Sequence, residues 1–305
     1  MPAATPTTTR PTARPITGPV TDLPVPEWTR RERAHQQRVD AWTAGYLERR
    51  RDGIPHPVED FLFRYYSQRP AQLRQWHPGF GFALLDAPDH LTRKGYADLG
   101  AGRAGVDPDH VRDQRRLVRT IRTLLAATAE RPAQLGCFGL HEWAMVYRLD
   151  PDRVRHADWP LRLGADGTDA VVEQHRLRCT HFDAYRFFTE PARPLNTLRP
   201  GRDDRPAFEQ PGCLHAGMDL YKHAFRLTPM VPSELVADCF ALAREIRELD
   251  MRASPYDLSA LGYEPVAIET AEGKQAYVAA QAEFARRGAP LRAQLIDWCD
   301  RLLAV

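Results

Sequence analysis

Residues 173–189, EQHRLRCTHFDAYRFFT, bring two histidines, one cysteine, two carboxylates, three arginines and four aromatic rings into a single run. Ionisable groups that leave water persist only when paired, ligated or used, so this mixture predicts a polar pocket walled by rings. Read as one helix, the run sets His175, Cys179 and Asp183 on one face at four-residue spacing, and residues 213–226 do the same for His215, Asp219 and His223. Two such faces set against each other would offer nitrogen, oxygen and sulfur donors to zinc or iron, as helical bundles do. On that reading His175, His181 and His215 are the metal ligands, although a regular helix turns His181 away from His175. The alternative is that these imidazoles only hydrogen-bond buried carboxylates and backbone carbonyls.

Other carboxylates open a second line of chemistry. In residues 136–148, GCFGLHEWAMVYR, glycines loosen the backbone ahead of a helix whose first turn holds Glu142 beside Trp143. An acid suits the positive end of a helix, which is the plainer reading; against an aromatic wall it also fits a carboxyl of elevated pKa, ready for acid or base work. Residues 250–257, DMRASPYD, place Arg252 between Asp250 and Asp257, where a bidentate ion pair would either fix a helix end to its loop or face a substrate. Residues 77–83, HPGFGFA, contain the Pro-Gly-apolar-Gly core of a helix-hairpin-helix, whose turn presents backbone N–H groups to a phosphate. The arginine stripe Arg112, Arg115, Arg116, Arg119 and Arg122 fits phosphate contacts or a solvated helix face equally well.

The elements that must position these groups read as helices. Apolar spacing predicts them over 26–51, 57–66, 108–125, 138–147, 169–179 or beyond, 213–226 and 233–252, the last burying Leu235, Val236, Cys239, Phe240, Ala243, Ile246 and Leu249. Thr270 predicts a cap for a helix to Arg287, Gly288 a stop, and Pro290 the start of a last helix through Leu303. Strand signals are few, with 264–269 the best short candidate and 78–106 read as a Gly-, Asp- and Pro-rich loop. The pentapeptide RPAQL at 69–73 returns at 131–135, which is either an internal duplication or coincidence. The expected fold class is therefore mostly α, a single multi-helix domain over 25–305 with at most a short β element, behind a disordered Pro- and Thr-rich tail at 1–24.

At 305 residues and 43% hydrophobic content, the chain can bury a sizeable core. A net charge of +2 gives no vote for nucleic acid. Its five cysteines form no CxxC, which argues against a disulfide framework and a zinc ribbon. No apolar run is long enough for a bilayer, so the expectation is a cytoplasmic protein with no membrane partner.

Four strings, RPAQLGCFGLHEWAMVYR, RCTHFDAYRFFT, PGCLHAGMDLYK and DMRASPYDLSALGYEPVAIET, are together similar to actinobacterial proteins that carry the name 3-methyladenine DNA glycosylase. The likeness runs from Trp28 to the C-terminus. It implies an enzyme that hydrolyses the N-glycosidic bond of alkylated bases, with DNA as partner and no cofactor. The methylated base is cationic, so such a site needs ring faces and a carboxylate near the developing sugar cation. The resemblance then implies Trp143, Phe182, Tyr185, Phe188 and Tyr221 as the base pocket, Asp183 or Asp219 as the catalytic carboxylate that stabilises the sugar cation and orients water, with Glu142 in reserve, and Arg186 and Arg252 among the substrate contacts. The competing expectation is a zinc- or iron-dependent hydrolase or oxygenase acting on a small molecule.

Overall fold

A computed structural model describes residues 20–149 and 159–305. The helices are α1 (Val25–Asp52), α2 (Phe61–Tyr65), α3 (Pro70–Arg74), α4 (Pro108–Asp113), α5 (Arg115–Ala129), α6 (Leu140–Ala144), α7 (Gly164–Gln174), α8 (Phe182–Tyr185), α9 (Arg205–Phe208), α10 (Leu214–Arg226), α11 (Ser233–Arg252) and α12 (Ala271–Leu303). The strands are β1 (Thr21–Leu23), β2 (Phe82–Leu84), β3 (Tyr96–Asp98) and β4 (Ala104–Val106). The chain is mostly α, as its apolar spacing predicts.

The centre of the fold is α10 packed on α11, with α12 against both and α5 against α12. Helix α11 buries the predicted apolar face and, on the same side, Arg247 and Asp250. Gly217 lets the two central helices approach, because a Cβ there would lie 2.7 Å from Cδ1 of Ile246. Helix α1 ends as expected at Gly53, whose φ of 73° is the left-handed value that favours glycine.

Several expectations are corrected. Residues 78–106 are not a loop: they carry β2, β3 and β4, which join β1 in a sheet of order β1-β2-β4-β3. Strands β1 and β2 run parallel, and the other pairs antiparallel with Ala83 opposite Gly105 and Tyr96 opposite Val106. The sheet takes in the end of the predicted tail, whose residues 1–19 lie outside the described ones. The helix-hairpin-helix reading of 77–83 fails with it, since Gly81 leads into β2 rather than a second helix. The 264–269 candidate is not a strand. The two RPAQL copies take different forms: the first opens α3, and the second is irregular chain before α6, which removes the duplication.

Two helix predictions also change. Gly288 and Pro290 do not divide α12, because Gly288 packs beside Leu220 and Leu242, and this burial holds the helix straight through its breakers. Residues 173–189 are not one helix. Helix α7 stops at Gln174, His175 is extended, and α8 is a single turn. Between them Leu177 and Cys179 are buried on either side of the exposed Arg178, and the Asn196 side chain and the Thr197 backbone supply hydrogen bonds that a helix would have made. Asn196 receives the Cys179 N–H on Oδ1 (2.7 Å) and donates Nδ2 to the Cys179 carbonyl (3.1 Å), while the Thr197 N–H donates to the Leu177 carbonyl (3.0 Å).

Candidate metal centre

Three segments meet on the central helix pair: α6 brings His141, the extended chain brings His181, and the first turn of α10 brings His215. The His141 and His215 rings meet edge to face with centroids 4.5 Å apart, and His181 lies 5.3 Å from His215. From α11, Asp250 places Oδ1 2.8 Å from Nε2 of His141. One donor atom each from His141, His215 and Asp250 falls within 4.8 Å of the others, the one such group of metal-ligating side chains among the described residues. All three are buried, and Nδ1 of His215 has no hydrogen-bond partner.

Charge is tightly organised here. Burial works against a charged His141, yet Asp250 beside it holds its pKa above the usual imidazole value. Burial likewise opposes a charged Asp250, but His141, His215 and Arg247 keep it well below the usual carboxylate range. His215 is pushed far down by burial and by the neighbouring His141, which leaves a neutral imidazole able to ligate. Arg247 stands behind the group: its Nη1 donates to Asp250 Oδ2 (3.0 Å) and Glu142 Oε1 (3.1 Å), and its guanidinium lies 3.8 Å over Phe61. Such outer contacts orient a ligating carboxylate.

A second buried network surrounds Asp219. Its Oδ1 accepts from Tyr66 Oη (2.8 Å) and its Oδ2 from Arg205 (2.8 Å) and Lys222 (3.1 Å), with His181 Nε2 at 3.3 Å. His181 Nε2 is also 3.4 Å from Glu209, itself paired with Arg205, while its Nδ1 is buried and unpartnered. Burial disfavours the charge of Asp219, but Lys222 and His181 hold its pKa well below the ordinary value. Lys222 also donates to Asp183 at 2.9 Å.

Beside the first network lies a chamber of about 210 Å³, lined by His141, Cys137, Cys179, Cys213, Phe188 and Leu177 among others. Of the five rings expected to form a base pocket, Phe188 alone is in this wall. Trp143 is fully buried with its indole N–H on the Ala253 carbonyl (2.8 Å), and Tyr221 is core between Tyr66 and Phe240. Phe182 and Tyr185 lie on α8 outside the wall, with Tyr185 edge-on to Phe188. The expected acids are elsewhere too: Asp183 and Asp219 are in ion pairs, and Glu142 is bound to Arg247.

The remaining expected residues scatter. His175 bonds the Val171 carbonyl through Nδ1 (2.6 Å), outside the group, because the helix that would have aligned it ends one residue earlier. Arg252 holds the Glu264 carbonyl (2.9 Å) and Glu248, not Asp250 or Asp257; Arg247, one turn earlier on the same helix, takes the ion pair with Asp250. Arg186 pairs with Asp183 and lies over Phe187. In the arginine stripe, Arg112 and Arg122 pair with Asp109 and Asp300 while Arg115, Arg116 and Arg119 are exposed. Of the predicted metal ligands, His215 is in the tight group and His181 beside it. His141 and Asp250 belong to this group without having been read as metal ligands from the residue pattern, although Cys-x-x-x-His at 137–141 and Cys-x-His at 179–181 and 213–215 form a recurring signal. Measured against family models, curated proteins and solved structures, the chain gives no match. No described helix is long and apolar enough to cross a membrane.

Proposed function

We propose that the protein is a metal-dependent enzyme acting on a small molecule, with a divalent ion held by His141, His215 and Asp250. The observation that carries this reading is the convergence of two imidazoles and a buried carboxylate within 4.8 Å, next to a chamber that His141 helps to line. The donor set suits zinc in a hydrolase or iron(II) in an oxygenase, and the unpartnered Nδ1 of His215 is a ready lone pair. His141 and Asp250 would give up the proton they share in order to hold the ion. When bound, zinc would supply a Lewis acid toward water, and iron(II) an electron donor toward dioxygen. Arg247 keeps Asp250 aimed while it gives up its bond to His141, and the apolar part of the chamber wall, Leu140, Leu177, Leu214 and Phe188, excludes bulk water.

Release of alkylated bases from DNA has less support. The acids it would use are committed to ion pairs, and one ring of its five faces the chamber. Elemental analysis of the purified chain distinguishes the two. About one zinc or iron per chain is expected, falling several-fold in His215→Ala and Asp250→Asn with helix content unchanged by circular dichroism. Protein that stays metal-free after incubation with either ion, yet frees methylated adenine from alkylated duplex DNA, would overturn the metal reading in favour of the glycosylase.

A further inference from the structure

Three of the five cysteines, Cys137, Cys179 and Cys213, stand in the wall of the same chamber. They come from three separate segments: the loop before α6, the extended chain after α7, and the residue that caps α10. Each precedes one of the imidazoles of the group, so that three sulfurs share the chamber wall with His141 while His215 and His181 stand next to it. All three are free thiols. They do not converge as one ion requires, since the single group drawn within 4.8 Å among the described residues is His141, His215 and Asp250. The chamber they help to line, about 210 Å³, has room for more than one ion.

Soft donors spread around one body, rather than gathered on a point, are the ligand arrangement of a polynuclear iron–sulfur centre. The Gln281 side chain donates Nε2–H to Cys137 Sγ at 3.2 Å, the kind of hydrogen bond to sulfur that tunes such centres. Binding to iron requires each thiol to give up its proton.

We propose that Cys137, Cys179 and Cys213 hold an iron–sulfur cluster in this chamber. On assembly each S–H bond is exchanged for an S–Fe bond and the three protons pass to solvent, while two ferrous and two ferric ions with four sulfides supply the core, so that no further oxidant is needed. Three thiolates leave one iron for a ligand that is not a cysteine. The same wall carries Arg176 and Arg178, neither of which has an ion-pair partner among the described residues, so the chemistry that suits that iron is a small anionic molecule. The cluster stands on residues the proposed mononuclear site does not use, and the two ideas fail separately. Beside His141 it favours the redox branch of the proposed activity over hydrolysis.

The test is anaerobic incubation of the full chain with equal parts of ferrous and ferric iron and with sulfide. The expected result is a broad sulfur-to-iron charge-transfer absorption in the visible range, with about four iron and four sulfide bound per chain beyond any mononuclear ion. Cys137→Ser, Cys179→Ser and Cys213→Ser each lower the absorption several-fold, Cys239→Ser and Cys299→Ser leave it, and His215→Ala removes only the mononuclear ion. Should the single serine variants misfold, alkylation of the wild-type chain mapped by mass spectrometry gives the same answer, because the cluster shields those three thiols. Absence of the absorption, its survival in the triple serine variant, or sulfide-free binding of one zinc by the thiols would overturn the proposal.

Discussion

Arg247 is the residue on which the centre leans most. Its side chain is 2% exposed and neutralises two buried carboxylates at once, Glu142 and Asp250. Removing one partner of a buried ion pair leaves the other stranded in a poorly polarisable interior, at a cost of about 3–5 kcal/mol. Arg247→Leu is therefore expected to lose about that much stability in urea unfolding near neutral pH; a loss within about 0.5 kcal/mol, the usual range for exposed positions, would mean that water reaches both acids. This residue also marks where sequence reading stops. It lies on α11, whose apolar period is plain, but its two anions lie 105 and 3 residues away, and only the folded chain shows both to be buried. His141 is hidden for a similar reason: α6 is too short for periodicity to assign it a face, and its partner Asp250 is 109 residues distant.

At the level of elements, long helices with a regular apolar stripe were the legible ones. The spacing over 233–252 matches α11, and that over 213–226 matches α10 to within a residue. Elements fixed by distant partners were not. The four strands have three residues each, too few for alternation to register, and the extended run through Cys179 depends on Asn196 and Thr197. Helix α12 makes the point for local breakers. Gly288 reads as a stop, yet a Cβ there would meet Leu220 and Leu242 at 3.5 and 3.6 Å, ordinary contact distances. Gly288→Ala is therefore expected to be accepted and to add about 0.5–1 kcal/mol by restricting the unfolded chain. A fall in the thermal midpoint of this variant would show that the helix needs a flexible joint next to Pro290.

For the molecule as a whole, the corner joining α1 to the sheet adds to the response to acid, alongside the buried His215 and His223 of α10. Burial, then Arg93, lowers His77 to about 3 and His90 to about 4. Both are neutral in the fold, while in the unfolded chain they take up protons below about 6.5. Their contribution is thus complete above that pH and is lost as pH falls from 6.5 towards about 4 for His90 and about 3 for His77, with His77 alone giving up to about 1.4 kcal/mol per pH unit. His90 has no hydrogen-bond partner on either ring nitrogen and sits against Trp28 and Tyr96. The urea midpoint of His90→Leu is expected to exceed that of the parent by a margin that widens between pH 8 and pH 5; a constant margin would place the acid sensitivity elsewhere.

The donors around the chamber come from residues 137–141, 179–181, 213–215 and 250, stretches that have nothing else in common along the chain. An ion held by His141, His215 and Asp250 would act as a rivet through three distant lengths of polypeptide, and its release would be coupled to the loosening of each. Binding to the native state alone shifts the folding equilibrium with the free concentration of the bound species, by about 2.7 kcal/mol at a hundredfold excess over the dissociation constant. Chelation should then register far from the chamber, as earlier melting of helices that touch no donor.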